Sequence, residues 1–219
     1  MRTYRLSRHS ECLRYFSPAA DTLRQPLSFI TREMIADVYD SQLRGRKDLT
    51  VCFTGHRVIP ASDLPALTAR LDAVLESLYQ QGYRDYISGA ALGFDVLAAE
   101  RVIDMRLRHP DVRLRLAIPC SSQAERWSGH DCARYERMLY CADSTHVLSR
   151  EYYVGCMQVR NRYMVDRSAI CLCYLTHMKG GTMATVAYAM QQSCPILNLA
   201  MEDACEAFIR EGSSSAPQA

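Results

Sequence analysis

Four short stretches combine glycine with hydroxyl, imidazole and guanidinium side chains: Phe53-Thr54-Gly55-His56-Arg57, Ser88-Gly89-Ala90-Ala91-Leu92-Gly93-Phe94-Asp95, Arg160-Asn161-Arg162 and Lys179-Gly180-Gly181-Thr182. Three are glycine turns set between an apolar run and a helical pattern, where backbone N–H groups at a helix start can gather around an anion. Lys179 and Thr182 add a cation and a hydroxyl beside one such start. Arg57 and His56 follow Gly55 directly and could reach the same anion. Arg160 offers a planar guanidinium suited to phosphate, with Asn161 beside it. These residue types suit the holding of a phosphorylated small molecule.

Each candidate also has a plainer explanation. A single glycine turn is common in α/β chains, which need glycine at tight loops. Arg160 could form an ordinary surface ion pair of little energetic worth, and His56 could be hydrogen-bonded within its own loop. Asp95 is a separate case, because a carboxylate at a helix start stabilises the helix but repels a phosphate placed there. Its expected task is to shape the Gly89–Gly93 loop or to accept a ribose hydroxyl. Arg162 is expected to face solvent. Trp127, Tyr135 and the Tyr152-Tyr153 pair could stack on a base, but aromatic residues more often serve packing, and they stay outside the candidate site.

From Leu49 onward, short apolar runs alternate with helical patterns, as in βαβ units that build a parallel sheet. Strands are expected at Leu49–Thr54, ending at Ser88, and at Leu114–Pro119, His146–Leu148, Ala169–Leu175 and Ile196–Leu199. A helix from about Ser62 carries the stripe Leu64, Leu67, Leu71, Val74, Leu75 and Leu78; the next carries Phe94, Leu97, Ala98, Val102 and Met105. Further helices are expected near Ser122–Cys141, interrupted at Ser128-Gly129, and at Cys156–Arg167 and Gly181–Gln192. In an open parallel sheet, ligands bind outside the carboxyl ends of the strands where strand order reverses. Each glycine turn falls at such an end.

The strings Phe-Thr-Gly-His-Arg, Ser-Gly-x-x-x-Gly-x-Asp, Arg-Asn-Arg-Tyr-Met-Val-Asp and Gly-Gly-Thr-x-x-Thr-x-x-Tyr-Ala, in this order over about Thr50 to Leu199, resemble the YpsA-like branch of the SLOG superfamily. That superfamily also holds DprA-like DNA-processing proteins and LOG phosphoribohydrolases. The resemblance implies an α/β, Rossmann-like three-layer fold with a mostly parallel sheet that binds nucleotides or nucleotide-derived ligands. The candidate ligand-binding residues are Thr54, Gly55, His56, Arg57, Ser88, Gly89, Ala90, Gly93, Asp95, Arg160, Asn161, Lys179, Gly180, Gly181 and Thr182. The LOG enzymes place a glutamate in a Gly-Thr-x-x-Glu turn, whereas here Gly181-Thr182-Met183-Ala184-Thr185 puts Thr185 there. Threonine is no general acid at neutral pH, and neither Glu100 nor Asp95 is compelled by spacing to replace it. Binding or sensing of a nucleotide-derived ligand is therefore preferred, with DprA-like handling of single-stranded DNA as the alternative and N-glycosidic hydrolysis third. No cofactor is identified.

Composition narrows the classes further. The 219 residues carry a net charge of +2, but residues 1–48 hold nine basic and six acidic residues, leaving 17 and 18 in residues 49–219. That near-neutral main region does not read as a polycation for nucleic acid. The longest apolar run, Ala169–Leu175, is far too short for a membrane span, and no apolar block follows the early arginines, so a cytoplasmic protein is expected. Ten scattered cysteines include no Cys-x-x-Cys pair, which disfavours a metal site and favours reduced thiols. The chain divides into a short, partly mobile helical extension at 1–48, with one amphipathic helix over Ser28–Leu43, a main domain at 49–211 and a low-complexity, disordered tail at 212–219. The extension could pack on the main domain or mediate homo-oligomer assembly.

Overall fold

A computed structural model describes residues 47–214. The expected Ser28–Leu43 helix lies outside the described residues. After a short 3-10 turn (Lys47–Leu49), the elements are β1 (Thr50–Gly55), α1 (Leu64–Gln80), β2 (Asp85–Ser88), α2 (Phe94–Met105), β3 (Arg113–Ile118), α3 (Gly129–Cys141), β4 (Ser144–Val147), α4 (Cys156–Asp166), β5 (Ile170–Tyr174), α5 (Gly180–Gln191), β6 (Ile196–Asn198) and α6 (Glu202–Ser214). The six strands form one sheet in the order β4-β3-β2-β1-β5-β6. Every pairing is parallel, with Cys52 of β1 in register with Ile87 on one side and Cys171 on the other. The "mostly parallel" expectation is thus met by a wholly parallel sheet in a Rossmann-like α/β fold.

The order explains where a ligand could sit. The chain steps from β1 outward through β2, β3 and β4, then crosses back to place β5 on the other side of β1. Right-handed crossovers put α1, α2 and α3 on one face and α4 and α5 on the other. The β1–α1 and β5–α5 connections therefore leave neighbouring strands toward opposite faces, opening a cleft at their carboxyl ends.

Hydrophobic burial holds this frame. Val51, Cys52 and Phe53 of β1 and Cys171 to Cys173 of β5 are at most 1 % exposed, as expected for strands covered on both faces. Phe53 stacks on Tyr86 and meets Phe94 edge-on, with ring centroids 6.2 and 6.4 Å apart. Burying each such side chain contributes about 1.5–3 kcal/mol. The α1 stripe is buried from Leu67 to Leu78, but Leu64, the first residue of the helix, is exposed. The α2 stripe is buried throughout.

Three details differ from the sequence expectation. The helix expected from Ser122 begins only at Gly129: Ser128 accepts a hydrogen bond from the Asp131 N–H, so the anticipated interruption is an N-cap and residues before it are turns. The last helix, α6, continues through Gly212 to Ser214. Among the described residues, eight cysteines are free thiols, with Cys52, Cys171 and Cys194 packed together in the core, but Cys141 is disulfide-bonded.

Candidate functional site

The glycine turns converge because the loops that carry them are tied to one another. At the end of β1, the His56 N–H donates to the Tyr174 carbonyl (3.2 Å), and the His56 carbonyl accepts from the Phe94 N–H at the start of α2 (3.1 Å). Gly93 has φ +84°, and a Cβ there would run into the backbone of His56 and Arg57. Only glycine allows the β1–α1 and β2–α2 loops to approach this closely. At Gly55, a Cβ would strike the Phe94 ring.

His56 also clasps the third loop. Its Nε2 accepts the Thr176 N–H at 2.9 Å and faces the His177 N–H at 3.4 Å, so the ring is neutral with its proton on Nδ1. Burial, with His177 second, holds the His56 pKa below its ordinary value. The two imidazoles lie face to face, with centroids 3.7 Å apart and 4° between planes.

The second turn surrounds a buried ion pair. Ser88 Oγ donates to the Asp95 carbonyl (2.9 Å) and accepts the Ala90 N–H (3.1 Å), while Ala90 adopts φ +48°. The Asp95 carboxylate takes hydrogen bonds from the backbone of Ala91 and Gly89 and lies 3.8 Å from Arg160 Nη1. Both side chains are more than nine-tenths buried. Burial outweighs these partners and pushes the Asp95 pKa up to about 6; the same desolvation lowers that of Arg160. Asp95 thus shapes the Gly89 loop from within, the first of its two expected tasks.

Arg160 reaches from α4, on the opposite face, to donate Nη1 to the Gly89 carbonyl and Nε to Asn161 Oδ1 (2.7 Å). Its Nη2 has no hydrogen-bond partner among the described residues. Asn161 Nδ2 donates to Thr185 Oγ1 (2.7 Å), which in turn donates to the Gly181 carbonyl (2.8 Å). Thr185, at the position where LOG enzymes hold their acid, is therefore engaged in joining α4 to α5. Glu100 is bound by both prongs of Arg134, at 2.6 and 2.8 Å, along α2. Arg162 is exposed, as expected, with its guanidinium over Tyr188.

The remaining candidates form a different layer. Arg57, Lys179, Gly180 and Gly181 are exposed, and the Arg57 charge acts on the buried Asp95 and Arg160. The N–H groups of Gly180, Gly181 and Thr182 open α5 and donate to no acceptor among the described residues. A Cβ at Gly180 or Gly181 would meet nothing within 4 Å. Thr182 and Thr54 are buried. Sequence reasoning missed Gln123, whose Nε2 donates to the Gly89 and Ala90 carbonyls at 3.2 and 3.0 Å, and His177. A glutamine in a polar loop carries no motif; His177, three residues before Gly180, lay close enough to have been weighed. Among the described residues, no cluster of histidine, cysteine or acidic side chains is placed to hold a metal ion, and no helix is long and apolar enough to cross a membrane.

Comparison with known proteins bears on the family and the fold. The chain is 32 % identical over 137 residues to the SPbeta prophage-derived protein YoqJ of Bacillus subtilis, covering 56 % of this chain and 80 % of that one. It is 26 % identical over 144 residues to a UPF0398 protein of Bacillus velezensis, covering 61 % and 77 %. Among solved structures, DNA processing protein A from Helicobacter pylori, described for its single-stranded DNA binding mode, superposes with TM-score 0.50 at 17 % identity, covering 79 % of this chain and 76 % of that one, a likeness of fold. The family model described as the YspA SLOG family (YpsA) matches residues 60–203, well over half of the sequence, and the chain belongs to that family.

Proposed function

We propose that the crest made by Arg57, Lys179 and the start of α5 binds the phosphate of a nucleotide-derived small molecule. The observation that carries this reading is the group of backbone N–H donors at Gly180, Gly181 and Thr182 that open α5, with the two glycines exposed beside the exposed Lys179, at the strand-order reversal between β1 and β5. A helix start of this kind supplies oriented donors and positive potential to an anion without rearrangement. Membership of the SLOG family supports nucleotide-related binding. The reading is one of binding, since Thr185 and Glu100 are already engaged within the fold.

Single-stranded DNA handling is the second reading, favoured by the fold likeness to the H. pylori protein. Against it stands the charge of residues 49–219, 17 basic and 18 acidic, because backbone-tracking proteins need an electropositive groove. The test is a thermal-shift screen of nucleoside mono- and diphosphates, dinucleotides and ADP-ribose on the full chain, followed by product analysis of any hit. At about 100 times its Kd, a true ligand stabilises by about 2.7 kcal/mol, which raises the midpoint by roughly 5–10 °C. A screen with no reproducible shift counts against the proposal.

A further inference from the structure

We infer that His177 is the stacking platform for an aromatic base, so that the rim takes nucleosides bearing a 5′-phosphate in preference to phosphorylated sugars. The inference rests on the phosphate reading of the α5 start. Its own support is the imidazole pair. His56 is buried and fixed by the backbone N–H of Thr176, and His177 lies flat against it at 3.7 Å. Thr176 Oγ1, 3.3 Å from Nδ1, further restrains the His177 ring. One face of that ring is covered by His56; the residue itself is exposed, and no other ring stacks on it among the described residues.

An exposed histidine on a loop ordinarily samples many orientations, and a ligand that stacks on it must first restrict them. Here the orientation is already set by a buried partner. The outer face then offers a flat surface for a third ring, and base–aromatic stacking accepts any base because each has a π-face. The position suits the rest of a nucleotide as well. His177 and Gly180 are only three positions apart, a span of at most about 10 Å, which a nucleoside 5′-phosphate can bridge. Met178, 70 % exposed between them, adds apolar surface beside the platform.

The test titrates the full chain by calorimetry with ribose 5-phosphate and with the four common nucleoside 5′-monophosphates, using wild type, His177→Ala and His177→Phe. The expected result is that at least one nucleotide binds about 5- to 150-fold more tightly than ribose 5-phosphate. His177→Ala should abolish that advantage while leaving ribose 5-phosphate affinity unchanged, and His177→Phe should retain it. If the advantage survives in His177→Ala, or if no nucleotide outperforms ribose 5-phosphate, the stacking role is wrong while the phosphate reading stands. If none of the five compounds binds, this inference falls, and the phosphate reading is decided by the wider thermal-shift screen.

Discussion

At the scale of single residues, the site separates side chains that hold the rim together from those free to meet a ligand. His56 and Asp95 titrate in opposite senses. Because the folded pKa of His56 lies below its ordinary value of 6.5, its contribution is complete above that value and is lost as pH falls. Protonation would put a proton on the atom that accepts the Thr176 N–H. Protection of the Thr176 and His177 amides against hydrogen exchange should therefore drop relative to β3 amides between pH 7 and 5, and His56→Gln should remove the response. Asp95, raised from 3.8 to about 6, is more readily protonated folded than unfolded, so its contribution declines as pH rises through that window. The decline amounts to up to about 3 kcal/mol between pH 4 and 7. Denaturant titrations of wild type and Asp95→Asn at the two pH values should differ by that change; parallel behaviour would rule it out. Arg160 belongs with these internal ties: Arg160→Ala strands a buried carboxylate and should cost about 3–5 kcal/mol in the same assay, with Arg160→Lys recovering part.

At the scale of elements, glycines divide in the same way. Gly93 and Gly180 both have positive φ, but a Cβ at Gly93 meets backbone from the β1–α1 loop while one at Gly180 meets open space. Gly93→Ala should lower stability by more than about 3 kcal/mol, and Gly180→Ala by only the 1–2 kcal/mol of backbone strain, as read from thermal midpoints. Similar losses would mean that the two loops are not held together as described. The sequence foretold most of the elements because their apolar periods are clean: continuous in β1 and β5, helical in α1 and α2. It foretold the rim positions because glycine turns mark strand ends. It could not reveal that Arg160 and Asp95 are buried together, since they come from helices on opposite faces and meet only through the crossover between β4 and β5. The start of α3 was misread for a local reason: Ser128 is a cap, and a cap within an apolar pattern looks like a break. Gln123 went unseen because its partners are backbone carbonyls, which leave no trace in residue type.

At the scale of the molecule, charge bears on the choice between a small ligand and a strand of DNA. With 17 basic and 18 acidic residues over 49–219, oligonucleotide binding at physiological salt should stay in the nonspecific range, Kd about 10⁻⁴ to 10⁻⁶ M, in an anisotropy titration. Tight, length-dependent binding would favour the DNA reading. The most direct measurement of the central claim uses Arg57, which is exposed and acts on the buried Asp95–Arg160 pair through its charge. Calorimetric titration of wild type and Arg57→Ala with whichever nucleotide gives the largest thermal shift should show affinity weakened roughly 10- to 150-fold, the loss of one charge-assisted hydrogen bond, with the free protein still showing a cooperative unfolding transition. Equal affinity in the two proteins, or no binding heat with any nucleotide, would contradict the claim that this crest is a phosphate site.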